Sequence, residues 1–406
     1  MRIRTSFAIA ACLALLSTPA AQAQAPQGRN LKIGVLSDLS GPYADGGGVG
    51  SVVAARLAVE DSGLLKKGWT IEIVSADHQN KADIAANTAL KWYDTEGVDA
   101  IADLVNSAAA LAVSQISRDK NKVVLASGPA TSDLTGKSCS PNTVHWTSDT
   151  WAFANGTGRA LVKTGGDTWF FVTADYTFGH SLERDTEKVV LASGGTVLGK
   201  VRAPIGTSDF ASFLLQAQAS KAKIIALANS GADTINAIKQ ASEFGVVVGG
   251  QRMAGMLLYI VDIHSLGLKA AQGTVLTSPF YWDMNEGTRA FSQRFSAQMR
   301  GAKPTMIQAG TYSSVLHYLK AVETLGDTKD GARIVRTMKD TPTDDPLFGK
   351  GLIRVDGRKI HPMYLFQVKA PEESKYPWDY YKQLATIPAD EAFRPLADGG
   401  CPLVAR

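Results

Sequence analysis

Regular alternation between apolar strands and amphipathic helices is the feature that most constrains the fold. Residues 31–36 read as a buried strand, Gly41-Pro42 ends it, and Val49, Val52 and Leu57 then recur at helical spacing. The same order continues with strands predicted at 69–74, 100–104 and 123–126, each followed by a helix or a turn. Such a series predicts a parallel sheet covered by helices on both faces.

A second strand–helix series starts after about residue 150. Its strands are predicted at 169–172, 196–201 and 224–227, with helices at 178–191, at 210–219 and through Ile235 and Ile238. A later helix is predicted at 315–325, and strands at 352–355 and 364–368 are expected to complete the sheets. The Pro- and aromatic-rich tail, 376–402, is expected to pack irregularly on the surface. The predicted fold class is α/β, with two doubly wound, Rossmann-like lobes.

The N-terminus has the pattern of a cleavable signal peptide over residues 1–23. Arg2 and Arg4 precede an apolar run at 7–16, and Ala21-Gln22-Ala23 fits a signal peptidase site. Cys12 lies inside the apolar run rather than at its end, which argues against a lipid anchor. We therefore expect a chain that is exported to the periplasm and is soluble there.

Charge and cysteine content limit the partners and the compartment. The formal net charge is +4 and Lys and Arg are spread evenly, so neither nucleic acid nor an anionic membrane is an expected partner. After signal removal the chain would keep Cys139 and Cys401. An even pair in an oxidising compartment predicts a disulfide that ties the tail to the body, with a reactive thiol as the alternative.

Signatures of catalysis were sought and not found in the sequence. It has no Gly-x-Ser-x-Gly elbow, no His-Glu-x-x-His and no phosphate loop, and Gly46-Gly47-Gly48 lacks dinucleotide spacing. The six histidines show no paired ligand spacing. We predict no enzyme activity, no cofactor and no metal.

Polar residues follow two neighbouring predicted strands, where ligands bind in open α/β sheets. Asn106 and Ser107 open a helix, and the stretch 127–131 reads Ser-Gly-Pro-Ala-Thr. Hydroxyls and free N–H groups at a helix start can hold a carboxylate without a cationic side chain. A purely structural helix cap at Asn106 or Ser107 is the competing interpretation.

Several segments resemble the leucine/isoleucine/valine-binding protein family, the type I periplasmic solute receptors of ABC transporters. The similar segments are residues 31–44 (LKIGVLSDLSGPYA), 127–135 (SGPATSDLT), 175–179 (DYTFG) and 273–277 (GTVLT). The resemblance implies two lobes joined by three crossovers, with the ligand held in the cleft by lobe closure. It assigns 24–148 and 279–350 to lobe one, 149–278 and 351–390 to lobe two, and 391–406 to a C-terminal tail.

The resemblance also implies a set of ligand-binding residues. The first-lobe residues are Asn106, Ser107, Ser127, Gly128, Ala130 and Thr131, and the second-lobe residues are Phe178, Asn229, Ser230 and Leu257. Tyr43, Tyr281 and Trp282 would line the mouth, although ordinary core packing is the alternative for Phe178, Tyr281 and Trp282. The implied partners are a small-molecule ligand and an ABC permease in the inner membrane, and the chain is expected to act as a monomer.

One departure from the family bears on the ligand. Amino-acid-binding members carry an acid after a Gly in the second lobe, whereas this chain reads Gly255-Met256-Leu257-Leu258-Tyr259. An unpaired ammonium in a dry cleft is costly, so we predict an aromatic carboxylate of benzoate or cinnamate type. Asp45, Asp149 or Asp175 could still supply the charge, which keeps a branched-chain amino acid or a short amide open. A ligand sensor with the same fold is a further alternative.

Overall fold

The computed structural model describes residues 29–246 and 249–404. The predicted signal peptide, with Cys12, lies outside the described residues. Within the described ranges, no helix is both long enough and apolar enough to cross a bilayer.

The first strand–helix series forms a five-stranded parallel sheet. Its elements are β1 (Asn30–Ser37), α1 (Gly48–Asp61), β2 (Thr70–Asp77), α2 (Ala82–Asp94), β3 (Ala100–Asp103), α3 (Ser107–Asp119), β4 (Val123–Ala126) and β5 (Thr143–His145). The strand order is β2-β1-β3-β4-β5, and every neighbouring pair is parallel. β3 and β4 are buried at every residue, as expected of a sheet with helices on both faces.

The second series builds a four-stranded parallel sheet. Its elements are α4 (Thr150–Phe153), α5 (Arg159–Lys163), β6 (Thr168–Ala174), α6 (Thr177–Ala192), β7 (Thr196–Ala203), α7 (Ala211–Ala219), β8 (Ile224–Ala228), α8 (Ala232–Glu243), β9 (Arg252–Gly255), α9 (Ile260–Leu266) and α10 (Leu268–Ala271). The strand order β7-β6-β8-β9 repeats the plan of the first sheet. In both sheets, therefore, the second strand in sequence lies on one side of the first strand, and the later strands lie on its other side.

The remaining strands do not complete the parallel sheets, and this sequence-based expectation was wrong. The remaining elements are β10 (Val275–Ser278), α11 (Glu286–Gln298), α12 (Met306–Leu325), α13 (Gly331–Asp340), β11 (Thr343–Asp345), β12 (Gly349–Ile353), β13 (Lys359–Ile360), β14 (Met363–Val368), β15 (Tyr381–Ile387) and α14 (Ala389–Ala392). They form two antiparallel sheets, β10-β14-β15 and β11-β12-β13.

The tail is also more regular than expected, because β15 pairs with β14 along its whole length. Five successive residues of β15, 382–386, are exposed, so this edge strand lacks the apolar run by which the other strands were predicted. A disulfide joins Cys139 to Cys401, with the two Cα atoms 5.6 Å apart, and fastens the tail to the loop after β4.

The lobe boundaries stay a prediction. Near the predicted boundary, the N–H of His145 at the end of β5 donates to the carbonyl of Gly357 at 2.9 Å. This bond places residue 357 beside the first sheet, whereas the predicted boundaries count 351–390 with the second lobe.

Candidate ligand-binding site

A cavity of about 220 Å³, partly open to solvent, lies between the loops that follow the strands of the two parallel sheets. The first sheet contributes Tyr43 after β1, Val105 after β3, and Gly128 and Ala130 after β4. The second sheet contributes Tyr176 and Phe178 after β6, Ser230 after β8, and Leu257 and Tyr259 after β9. In each sheet the strand order reverses between the first two contributing strands, which is where α/β sheets bind ligands.

The floor of the cavity requires glycine at position 128. A Cβ atom there would lie 2.4 Å from Asp103 Oδ1 and 2.7 Å from the Cα of Val105. The N–H of Gly128 donates to the carbonyl of Asp103 at 3.0 Å, which fixes the loop against the end of β3. The carboxyl group of Asp103 therefore lies directly behind the cavity floor.

Asp103 is a fully buried acid whose two side-chain oxygens lack a hydrogen-bond partner within the described residues. Burial raises the pKa of Asp103 to about 6, and the nearby hydroxyls of Ser37 and Ser51 offset only part of that effect. Neither hydroxyl meets it with hydrogen-bond geometry. At neutral pH the floor is consequently backed by a carboxylate that nothing in the described chain pairs.

Four aromatic side chains line the cavity, namely Tyr43, Tyr176, Phe178 and Tyr259. The ring of Tyr176 lies 6.4 Å from that of Tyr43 and 6.0 Å from that of Phe178, measured between centroids. The hydroxyl of Tyr176 donates to the hydroxyl of Tyr43 at 3.0 Å, across the gap between the sheets. Burial raises the pKa of Tyr43, Tyr176 and Tyr259, so all three hydroxyls stay protonated at neutral pH.

Several predicted polar residues are engaged inside the protein. The side chain of Asn106 accepts from the N–H groups of Ala108 and Ala109 and so caps α3, the structural role weighed above. The hydroxyl of Ser127 shares a 2.8 Å hydrogen bond with Thr311. These two residues lie next to the cavity and do not line it.

Ser107 and Thr131 link the two loops of the first sheet. Thr131 N–H donates to Ser107 Oγ at 3.2 Å, and the hydroxyl hydrogen of Ser107 has no acceptor within the described residues, but neither side chain lines the cavity. The hydroxyl of Thr131 shares a 2.7 Å hydrogen bond with Ser181 of α6, a contact between the two sheets' loops.

In the second sheet, Ser230 reaches the cavity and Asn229 stands behind it. The side-chain oxygen Oδ1 of Asn229 accepts from the hydroxyl of Thr234 at 2.6 Å, while its Nδ2 has no partner within the described residues. The hydroxyl of Ser230 is likewise buried without a partner in that part of the chain. Of these two residues only Ser230 lines the cavity, where its hydroxyl can meet a ligand.

Tyr281 and Trp282 do not line this cavity. The Tyr281 hydroxyl and the Trp282 Nε1–H both donate to the carbonyl of Trp378, at 3.0 and 2.9 Å. They line a separate cavity of about 240 Å³, the rear cavity, which also includes Tyr259 in its lining. The prediction that they flank the mouth overlooked the tail, whose Trp378 holds both side chains.

The loops of the two sheets touch each other around the cavity. Ala232 N–H donates to the carbonyl of Pro42 at 3.3 Å, and a Cβ atom on Gly231 would lie 2.3 Å from that same oxygen. These contacts beside the cavity exist only while the loops of the two sheets are together.

Sequence reasoning missed Val105, Tyr176 and Tyr259 as lining residues. Tyr176 and Tyr259 belong to segments 175–179 and 255–259, which bear on the family resemblance, but neither residue was predicted to contact the ligand. Nothing in the local pattern shows that two rings so far apart in sequence face one cavity. Within the described ranges there is no group of three or more His, Cys, Asp or Glu placed to hold a metal ion.

Comparison with known proteins identifies the family. The family model for periplasmic binding proteins matches residues 30–375. The Leu/Ile/Val-binding protein homolog 6 of Brucella melitensis is 27% identical, over 88% of this chain and 91% of that protein.

Solved structures agree with this match. A periplasmic binding protein from Burkholderia mallei has a TM-score of 0.90 and 50% identity, over 92% of this chain and 99% of that one. A branched chain amino acid ABC transporter periplasmic ligand-binding protein from Burkholderia xenovorans LB400 has a TM-score of 0.80 and 39% identity, with the same coverage. A solute binding protein from Rhodopseudomonas palustris in complex with benzoate shares the fold, with a TM-score of 0.78 and 21% identity over 88% of this chain and 96% of that one.

These matches confirm the predicted two-lobed α/β fold and the resemblance stated from the sequence, and they agree with the prediction of no enzyme activity. The chain belongs to the periplasmic binding protein family, whose members are solute-binding proteins of ABC transporters and not enzymes.

Proposed function

We propose that this protein captures a small aromatic carboxylate in the periplasm and delivers it to an ABC permease. The observation that carries the proposal is the cavity lining. Four aromatic side chains from both sheets (Tyr43, Tyr176, Phe178 and Tyr259) surround it, and none of the residues that line it is charged.

An aromatic ring suits this lining better than an amino acid does. Leu257 and Val105 add apolar surface to the lining, so a flat apolar body would meet apolar side chains from both sheets. No acid lines the cavity, and an α-ammonium group buried there without direct contact to a counter-charge would be costly.

Neutral hydrogen-bond donors are available for a carboxylate. On the first-sheet side the donor is the hydroxyl of Ser107, which lies next to the cavity and keeps its hydrogen free, while Asn106 already occupies the first N–H groups of α3. On the second-sheet side the unpaired hydroxyl of Ser230 is within the lining. A ligand that contacts both sides stabilises the closed arrangement, because only there does it meet both sets of donors.

A branched-chain amino acid is the second candidate, and Asp103 is the observation that favours it. Its unpaired carboxylate lies behind Gly128, where it would attract a ligand ammonium through the floor. The Burkholderia xenovorans relative, 39% identical, is a branched chain amino acid ABC transporter periplasmic ligand-binding protein. The two candidates differ in which feature contributes more to ligand binding, the carboxylate of Asp103 or the aromatic rings.

A thermal-shift screen separates the candidates. Benzoates, cinnamates, leucine, valine and short amides are each tested, followed by calorimetric titration of the hits. A ligand present at 100 times its dissociation constant adds about 2.7 kcal/mol to the free energy of unfolding. Stabilisation by leucine or valine, with no response to any aromatic acid, would refute the aromatic proposal.

We also propose that the protein acts as a monomer and without nucleic acid, since its positive charge is modest and evenly spread. Light scattering after gel filtration tests the monomer. A sensor that feeds a signalling protein would use the same cleft, and genes for two permeases and two ATPases beside this one would favour transport.

A further inference from the structure

The rear cavity adjoins the ligand cavity through a single side chain, Tyr259. Tyr259 lines both spaces, each of which is partly open to solvent. The two residues that precede it in sequence divide between the two spaces, since Leu257 lines the ligand cavity and Leu258 lines the rear cavity. The ring of Tyr259 is therefore a partition between two adjoining spaces.

Contacts from both parallel sheets hold the partition in place. The N–H of Tyr259, after β9, donates to Asp262 Oδ2 at 2.8 Å, which anchors its backbone at the start of α9. Its ring packs against Gly46, in the loop after β1, where a Cβ atom would lie 3.0 Å from Cε2. The side chain is 5% exposed, so it has little freedom to turn aside while the loops are together.

The rear cavity has a mixed lining of apolar and hydroxyl-bearing side chains. Phe280, Met306 and Pro304 contribute to its lining, and the hydroxyl of Ser278 donates to the carbonyl of Phe280. Tyr381 also lines it, is 6% exposed, and its hydroxyl has no hydrogen-bond partner within the described residues. A buried hydroxyl without a partner costs free energy unless something that enters the cavity pairs with it.

We infer that Tyr259 sets the length of the ligand, by closing the ligand cavity against a rear compartment that would otherwise accept the far end of a longer aromatic acid. This inference rests on the proposed function and narrows it. The natural ligand is then a one-ring acid with its carboxyl group on or next to the ring. Removal of the partition admits a longer acid, and a 4-hydroxyl group on that acid pairs with Tyr381.

The test compares benzoate, cinnamate and 4-hydroxycinnamate by calorimetric titration. Tyr259→Ala removes the partition, Tyr259→Phe is the matched control that keeps the ring, and Tyr259→Leu replaces the Ala variant if that one does not fold. The wild-type protein and Tyr259→Phe should favour benzoate. In Tyr259→Ala the ratio of the two affinities should move about tenfold or more toward cinnamate, since each added carbon buried in an apolar space is worth a factor of several.

A second substitution tests the Tyr381 hydroxyl of the rear cavity. In the Tyr259→Ala background, 4-hydroxycinnamate should bind about fivefold more tightly than cinnamate, and Tyr381→Phe should abolish that difference without weakening cinnamate. An unchanged benzoate-to-cinnamate ratio in Tyr259→Ala would overturn the inference.

Failure of the proposed function gives a different result. If the wild-type protein binds no aromatic acid and binds amino acids instead, the proposed function is wrong, and the partition is tested with valine and phenylalanine. Tyr259→Ala must then shift the preference toward phenylalanine. A crystal structure of Tyr259→Ala in which the two cavities are still separate would overturn the inference for either ligand class.

Discussion

Gly231 is the position at which a single added methyl group should act on closure. It follows β8 in the second sheet and has the backbone angles φ +57° and ψ −134°, which residues with a Cβ atom rarely adopt. A Cβ atom there would lie 2.3 Å from the carbonyl oxygen of Pro42 and 3.2 Å from the ring of Tyr43, both in the loop after β1. Gly231→Ala therefore introduces a clash across the cleft.

The size of the effect follows from that distance. Cβ atoms in real structures essentially never come closer than 3.0 Å to such an oxygen, so the loops would have to part by about 0.7 Å. Overpacking of this kind costs about 1–3 kcal/mol. The clash exists only when the loops are together, so the cost falls on the closed form and should weaken ligand binding by about 5- to 150-fold.

The assay is calorimetric titration with benzoate, together with small-angle scattering to follow compaction on ligand addition. Gly267→Ala is the matched control, because Gly267 has φ +77° and ψ +149°, an equally unfavourable backbone for Ala, with no atom within 4 Å of the added Cβ. Both variants should lose stability through backbone strain. Only Gly231→Ala should lose affinity, and a Gly231→Ala protein that binds and compacts like the wild type would show that this contact plays no part in closure.

Three further predictions concern charge and covalent linkage. Leu257→Glu should weaken an aromatic acid by about 10- to 100-fold, whereas Leu257→Gln, of the same size without the charge, should weaken it much less; equal losses in the two titrations would place the carboxylate elsewhere. The raised pKa of Asp103, about 6 against an ordinary value of 3.8, means that the folded protein holds this proton more tightly, so stability falls as pH rises from about 4 to 6. In Asp103→Asn this pH-dependent fall in the free energy of unfolding, about 3 kcal/mol or less, should be absent. The measurement is the difference between the wild-type and variant free energies of unfolding from urea melts at pH 4, 5 and 7. Parallel curves for the two proteins would contradict the burial argument. Cys139→Ser should lower the free energy of unfolding by about 2–5 kcal/mol, because the bridge closes a loop with a sequence separation of 262 residues, and reduction of the wild type should reproduce that loss in a denaturant melt.

Much of the fold was predictable because its strands are buried on both faces. β4 and β8 consist of uninterrupted buried apolar residues, and such runs are legible without any knowledge of their neighbours. β15 was not predictable, since an edge strand with exposed residues resembles a loop in sequence. The position of Tyr281 and Trp282 failed for a related reason, because it depends on Trp378, nearly a hundred residues further along the chain.

The candidate site likewise contains some residues that could be predicted from the sequence and others that could not. Gly128 was predicted because it follows a strand end, and Ser230 because of the family resemblance, and both residues line the cavity. Tyr176 and Tyr259 were missed because their role depends on how two separately folded sheets face each other. The hydroxyl of Tyr176 meets Tyr43, and the ring of Tyr259 meets Gly46, only in the assembled cleft.

The contacts between the loops of the first sheet and the second sheet's elements bear on what drives closure. They include the Tyr176–Tyr43 hydroxyl pair, the Thr131–Ser181 pair and the long Ala232–Pro42 bond, each worth about 0.5–1.5 kcal/mol at most, together with the charged bonds of Asp185 and Arg184 to Ser132. To raise the closed fraction of the molecules from about 1% to about 99%, a ligand must bind the closed form about 5.5 kcal/mol more tightly than the open form. An aromatic carboxylate can supply it, since burial of its ring adds about 1.5–3 kcal/mol and each hydrogen bond to its charged group about 1.5–3 more. Burial of a ring alone falls short of that figure, so benzene should fail to close the cleft that benzoate closes. Acetate, with two such hydrogen bonds worth about 3–6 kcal/mol together, should close the cleft less completely than benzoate.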